Sequence, residues 1–255
     1  MALTDEVRKW LEEQGFPLEM RVAAAFRESG FEVRQSSHYL DPETSEDREI
    51  DVLATDANVL GVVDINFAAE CKSTKKPWLL LSSPDTLRNY SRLFAFGVLS
   101  KDAKSVLAER PELMDFLPWL RKEGLVGYSL RQAFAERTDI AYKAAMSAAK
   151  ACEYLVRPAD TRCAAPFGFA FPVIVVNTPL IECSLLPSGE LRLDEVAQGE
   201  FLFLARLPGY FGTCIRVVTA KHLPVFAREA KRAAELIREV LKPDEQRIIE
   251  SWQER

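Results

Sequence analysis

Two neighbouring apolar segments that carry acidic residues constrain the fold of this chain more than any other feature. The first, residues 49–54, places Asp51 among apolar side chains, and the second, residues 62–72, ends with Glu70 and Lys72. Side chains of a strand alternate between its two faces, so Glu70 and Lys72 are expected to share one face. If the two segments pair as strands, Asp51 joins Glu70 at about 5 Å, which is one strand spacing.

This pattern predicts a site for a hard divalent cation. Two carboxylates that converge at an open strand end, with no His or Cys side chain beside them, suit Mg²⁺ or Mn²⁺ better than zinc. Lys72 could then orient a bound water or help to deprotonate it. The alternative is a surface contact between Glu70 and Lys72, which would be worth less than about 1 kcal/mol and would have no function.

The arrangement resembles the PD-(D/E)xK nuclease superfamily, which has the restriction-endonuclease-like fold. The resemblance rests on Asp51, on Glu70-Cys71-Lys72 as Glu-x-Lys, and on a preceding helix that carries Glu19. It covers about the first 80 residues with motif content, and beyond them it is only an order of elements. Ile50 stands where the superfamily has the proline of its name.

The resemblance implies roles for these residues. Asp51, Glu70 and the backbone carbonyl of Cys71 would hold one Mg²⁺ or Mn²⁺ ion, and Lys72 would position the attacking water and stabilise the developing anion. Glu19 would orient this assembly or hold a second ion. Two further residues, Gln35 and Ser73, lie near enough in the sequence to support the ligands.

The resemblance also implies the fold class, which is α/β. We expect a restriction-endonuclease-like core, meaning a mixed central sheet flanked by helices, with a helical insertion and extra C-terminal strands. A single nuclease-like domain would span residues 1–255, with the core motif at 16–82, the helical insertion at about 83–160, and strands with a terminal helix at 166–242.

Periodicity and turn residues predict the individual elements. Helices are expected at residues 4–14 and 18–29, followed by an antiparallel meander of three strands at 31–40, 49–55 and 62–73. The alanine-rich segment 129–156 is the clearest predicted helix, and a last helix is expected at 223–241. The other predicted strands are 171–177, 180–186, 190–196, 200–207 and 214–219, with a hairpin turn at 187–189.

Composition limits the class of protein. No apolar run approaches the ~18 residues that span a bilayer, and the charged N-terminus does not resemble a signal peptide, so we expect a cytoplasmic protein without membrane contact. The five cysteines are odd in number and widely spaced, which favours reduced thiols. His38 and His222 are isolated, and we expect structural roles for them.

The distribution of charge is uneven, although the net charge is −5. Residues 41–70 contain nine acids and one base, whereas the bases outnumber the acids over residues 71–104. This order could place a basic rim for nucleic acid beside an acidic metal pocket, or both segments could be solvated faces. The candidate rim residues are Lys75, Lys76, Arg88 and Arg92.

The sequence therefore predicts a Mg²⁺-dependent nuclease, with DNA as the expected substrate. One alternative is a catalytically inactive binding or regulatory subunit of a defence or repair complex that keeps the nuclease fold. Another is a non-nuclease α/β protein in which the motif is accidental. The acidic net charge suggests that a second copy of the chain or a protein partner supplies basic surface.

Overall fold

The structure is a computed structural model that describes residues 2–41, 43–110, 125–135, 140–157, 165–205 and 212–254. Within these ranges the chain forms an eleven-stranded mixed sheet with helices on both faces. The strands are β1 (Glu32–Leu40), β2 (Asp47–Asp56), β3 (Val63–Lys72), β4 (Trp78–Ser83), β5 (Val98–Leu99), β6 (Val126–Gln132), β7 (Phe167–Val176), β8 (Leu180–Leu185), β9 (Leu191–Val196), β10 (Gln198–Phe203) and β11 (Thr213–Thr219). The helices are α1 (Leu3–Gln14), α2 (Phe16–Glu28), α3 (Arg92–Ala95), α4 (Lys101–Ala108), α5 (Ile140–Val156) and α6 (Leu223–Gln253).

The sheet combines parallel and antiparallel neighbours. Ten strands follow the order β1-β2-β3-β7-β11-β10-β6-β4-β8-β9, and β5 pairs with β7 beside this path. The pairs β3–β7, β7–β11, β6–β10 and β4–β8 are parallel, and the other pairs are antiparallel. The described chain is thus α/β with a large mixed sheet, as the sequence predicted, and β1–β3 form the expected antiparallel meander.

The central strand β7 separates two apolar cores. Val173 and Val175 pack with α2, α4 and α6 on one face, whereas Ile174 and Val176 pack with α5 on the other. All ten residues of β7 are buried, which confirms the prediction from its continuous apolar run. The α5 residues that face the sheet are mostly alanines, whose small side chains let the helix approach the strands closely.

Buried ion pairs tie β2 and its flanking connection to the helices. Lys150 on α5 donates to both carboxylate oxygens of Asp41 at 2.9 Å. Lys231 and Arg238 on α6 both bind the carboxylate of Asp56, at the end of β2. These pairs fix the meander between the two helical layers.

The predicted helix at 129–156 is wrong in its first part. Residues 126–132 form β6, which pairs with β4 and β10 inside the sheet, and the described part of α5 is Ile140–Val156. Residues 136–139 of the predicted helix lie outside the described residues. β4 was not predicted either, although its residues alternate between buried and half-buried. The segment between about 83 and 160 is therefore not only a helical insertion, because tertiary pairing overrides local helix propensity in β6.

The remaining differences concern the C-terminal half. β7 starts at Phe167, four residues before the predicted start, and the hairpin of β8 and β9 forms as predicted. The last helix continues past Pro243 to Gln253 because Ile248 and Ile249 still pack against the core. Part of the predicted strand 200–207 lies outside the described residues. No helix among the described residues is long and apolar enough to cross a bilayer.

Candidate functional site

The backbone ladder between β2 and β3 stops beside Asp51. The last paired residues at this end are Val52 and Ala69, so Asp51 and Glu70 are the next residues on their strands. In β1, Ser36 lies between the partners of Ile50 and Val52 and has a positive φ of 52°. This left-handed residue interrupts the regular pairing opposite Asp51, which leaves the Asp51 side chain to make its own contacts.

Asp51 binds the main chain of the neighbouring strand. Its Oδ2 accepts a hydrogen bond from the backbone N–H of Cys71 at 2.7 Å. The N–H and C=O of a strand residue point to the same side, so the carbonyl of Cys71 also faces Asp51. The sequence-predicted carboxylate and carbonyl are therefore neighbours where the two strands separate.

Glu70 and Lys72 share one face of β3, as the two-residue period predicted. Lys72 Nζ donates to Glu70 Oε1 at 2.5 Å, and the two side chains are 25% and 12% exposed. A pair this shielded interacts more strongly than one on an open surface, because water screens it less. The alternative of a solvated Glu–Lys contact does not describe this geometry.

Glu19 approaches the same site from α2. The turn at Gly15, with φ of 90°, places the start of α2 close to the end of β3. A Cβ added at Gly15 would lie only 3.3 Å from the Cβ of Ser73. Burial raises the pKa of Glu19, and the carboxylates of Glu49 and Glu70 raise it further. The carboxylates of this cluster therefore act electrostatically on Glu19. Glu19 makes no hydrogen bond or ion pair to them among the described contacts.

The cluster concentrates negative charge where water is partly excluded. Burial and the nearby Glu70 carboxylate raise the pKa of Asp51 to about 7, against the opposing effects of the Cys71 N–H and of Lys72. Burial alone would lower the pKa of Lys72, but the carboxylates of Glu70 and Asp51 raise it, so the ammonium stays protonated. Burial also raises the pKa of the Cys71 thiol well above its usual value, which makes this thiol a poor nucleophile.

The donor set fits a hard divalent cation. Oδ1 of Asp51 and Oε2 of Glu70 accept no hydrogen bond from the residues that the structure describes. Two carboxylates held close together repel each other, and a cation between them relieves this repulsion. No group of three or more His, Cys, Asp or Glu side chains in the described chain could hold a metal ion, so a cation here would also use the Cys71 carbonyl and water, as Mg²⁺ commonly does.

The predicted basic rim is only partly present. Lys75 and Lys76 are exposed just after β3, and Lys76 donates to the carbonyl of Phe134 at 2.5 Å. Arg88 is exposed near Asp85, at 3.9 Å. The prediction for Arg92 is not supported, because its half-buried guanidinium is bound to a glutamate of β10, Glu200, at 2.7 Å.

One residue beside the site was missed from the sequence. The Asn177 side chain accepts the backbone N–H of Thr74 at 2.8 Å and donates to the hydroxyl of Ser73 at 3.1 Å. Ser73 is thus held just past Lys72, whereas Gln35 is exposed on β1. Only the position of Asn177, directly after a buried apolar strand, could have drawn attention to it.

Comparison of the chain with protein-family models, with curated proteins and with solved structures found no match.

Proposed function

We propose that this protein hydrolyses phosphodiester bonds in nucleic acid, with DNA as the substrate class and Mg²⁺ or Mn²⁺ as the cofactor. The observation that supports this most is that Asp51 and Glu70 lie close together where β2 and β3 separate, with Lys72 on the same face of β3 as Glu70. Burying two like charges together costs stability, so a site of this kind is more typical of function than of folding.

The proposal includes a restriction-endonuclease-like core. A helix with an acid, α2, precedes the meander β1–β3, and β7 then pairs in parallel with β3 along its whole length. This order of helix, three strands, helix and strand resembles that core. The other strands of the sheet, β4 to β6 and β8 to β11, would be additions to it.

Each residue of the site has a separate task in this proposal. Asp51, Glu70 and the carbonyl of Cys71 would hold the cation, which when bound neutralises phosphate charge and lowers the pKa of a coordinated water. Lys72, kept protonated by its carboxylate neighbours, would donate hydrogen bonds to the developing anion rather than act as a base. Glu19 would help to orient this set from α2.

Cleavage assays with matched variants test the proposal. The substrates are duplex, branched and single-stranded DNA and RNA, each with Mg²⁺, with Mn²⁺ or with EDTA. We expect metal-dependent cleavage that falls at least about 100-fold in Lys72→Ala and in Asp51→Ala, because both remove a group that acts on the reacting phosphate. The controls are Asp47→Ala and Lys101→Ala, which change exposed residues outside the site and should stay within about two-fold of the wild type.

Calorimetric titration with Mg²⁺ and Mn²⁺ separates the nuclease from an inactive binding subunit. A nuclease should bind the cation through Asp51 and lose this binding in Asp51→Ala. If the protein neither cleaves nucleic acid nor binds the cation, the inactive subunit is favoured. Equal cleavage by the wild type and by Asp51→Ala would refute the assigned site. The prediction of a second copy or a partner that supplies basic surface is tested by the salt dependence of DNA binding to the isolated chain.

A further inference from the structure

The edge strand β9 carries an exposed apolar face. In the described part of the chain, β9 is the last strand of the sheet and pairs with β8 alone. Leu185 lies opposite Leu191 in this hairpin, and Leu193 follows on the same face of β9. These three side chains are 68%, 65% and 60% exposed. An apolar patch beside an open strand edge is typical of a contact with another chain.

The backbone groups of β9 alternate between β8 and the open edge. At the start of the hairpin, the N–H of Leu186 donates to the carbonyl of Glu190 at 2.9 Å. Counting in steps of two from this pair, Arg192 and Asp194 also direct their N–H and C=O groups to β8. The residues between them direct these groups to the open edge, and they are Leu191, Leu193 and Glu195.

The order of charges along β9 is self-complementary. If a second copy pairs antiparallel about a two-fold axis at Leu193, Arg192 of each copy lies opposite Asp194 of the other. Moving the axis by one residue in either direction would instead oppose two copies of Arg192 or two copies of Asp194, which is unfavourable. Charged residues often keep an edge strand from pairing, but this base and acid favour one antiparallel register.

The same register satisfies the open backbone groups. Leu193 would exchange hydrogen bonds with its own copy, and Leu191 would exchange them with Glu195 of the other copy. Opposite residues that exchange no backbone bonds lie closer together, at about 4.5 Å between Cα atoms, and these are the Arg192–Asp194 pairs. Within one copy, Arg192 Nε already lies 2.6 Å from Asp194 Oδ2, and both side chains are about half exposed. The dimer would thus join four alternating charges on one face and the leucines on the other.

We propose that β9 pairs with β9 of a second copy about a two-fold axis at Leu193, which makes one sheet continuous across a homodimer. The contact is one strand wide and about 20 Å long, so it is small beside the roughly 800 Å² per partner of a standard interface. Association is therefore weak, with a Kd of about 10–100 µM. The interface contains no residue of the candidate site, because β9 lies seven strands from β3 in the sheet order.

Exchange of the two charges tests both the interface and its register. Sedimentation equilibrium in EDTA, from about 5 to about 500 µM protein, gives the Kd of the wild type and of each variant. Arg192→Glu and Asp194→Arg each oppose like charges at two positions, so each should raise Kd at least about ten-fold. An equal mixture of these two variants puts opposite charges together again at both positions. The mixture should therefore form a heterodimer with a Kd within about five-fold of the wild type.

A matched control is available at the other edge of the sheet. Arg34 is exposed on β1, and Arg34→Glu should leave Kd within about two-fold of the wild type. Far-UV circular dichroism checks that every variant is folded. Because the substituted side chains are exposed, we expect the spectra to match that of the wild type.

Each result supports the inference or overturns it, and none depends on cleavage of nucleic acid. Dimers that are lost in both single variants and regained in their mixture would support it. A wild type that stays monomeric at the highest concentration would overturn it and leave the edge open to a different protein. An unchanged dimer in both variants would place the interface elsewhere. Weakened variants that do not recover on mixing would refute the register at Leu193.

Discussion

Replacing Asp51 by asparagine should stabilise the metal-free protein and abolish the proposed cleavage. The carboxylate of Asp51 is partly buried beside Glu70, which raises its pKa to about 7 from an ordinary value of 3.8. Asparagine has almost the same shape, and its oxygen can still accept the hydrogen bond from the Cys71 N–H. The substitution therefore removes the unfavourable charge and keeps the contact.

The magnitude follows from the difference between the two pKa values. The pKa of Asp51 is about 3 higher in the folded protein than its ordinary value, which corresponds to about 4 kcal/mol of folding free energy once the group is fully ionised. The pKa is raised in the folded state, so this carboxyl favours folding below pH 3.8, and the contribution is lost as the pH rises through about 7. About 3 kcal/mol of it should disappear between pH 5 and pH 8 in the wild type and none in Asp51→Asn.

Guanidinium denaturation in EDTA at pH 5 and at pH 8 measures this difference. The advantage of Asp51→Asn over the wild type should grow by about 3 kcal/mol between the two pH values. Asp47→Asn, an exposed acid on the same strand, is the control and should show no such growth. Saturating Mg²⁺ at pH 8 should reduce the advantage, because the cation stabilises only the folded wild type. A pH-independent difference would refute the argument.

Two further predictions concern the frame around the site. Burial opposes the ionised form of Asp56, but its bonds to Lys231 and Arg238 lower its pKa. Asp56→Asn should therefore lower the free energy of unfolding by about 3 kcal/mol at pH 7, measured by thermal or chemical denaturation. The loss should become smaller as the pH falls below 3.8. Gly127→Ala should cost about 2–3 kcal/mol in the same assay, because a Cβ there would lie 2.5 Å from a leucine methyl of β4, whereas Gly168→Ala, with 3.6 Å to its nearest atoms, should be tolerated.

Local patterns in the sequence were sufficient for the elements that carry the site. Alternation of apolar residues and short turns predicted the meander β1–β3, and the two-residue period put Glu70 and Lys72 on one face. The unbroken apolar run around Val173 predicted a strand buried on both faces. Each of these inferences depends only on residues within one strand or two adjacent strands.

Long-range pairing could not be predicted in the same way. The segment Val126–Gln132 is a strand because β4 and β10 enclose it, although the residues that follow it have helical composition. Asn177 reaches the end of β3 only because β7 pairs with β3 in parallel and in register, Lys72 opposite Val176.

Three acids in and next to β2 show why Asp51 differs from a structural carboxylate. Asp41 is almost fully buried and receives two hydrogen bonds from Lys150, and Asp56 is held by two bases of α6. In both, the partner bases outweigh burial and lower the pKa. Asp51, between them, lies against Glu70 instead, and its pKa rises. The same fold therefore neutralises two buried acids and leaves the third opposed by a like charge, which is the arrangement expected where a cation is to be bound.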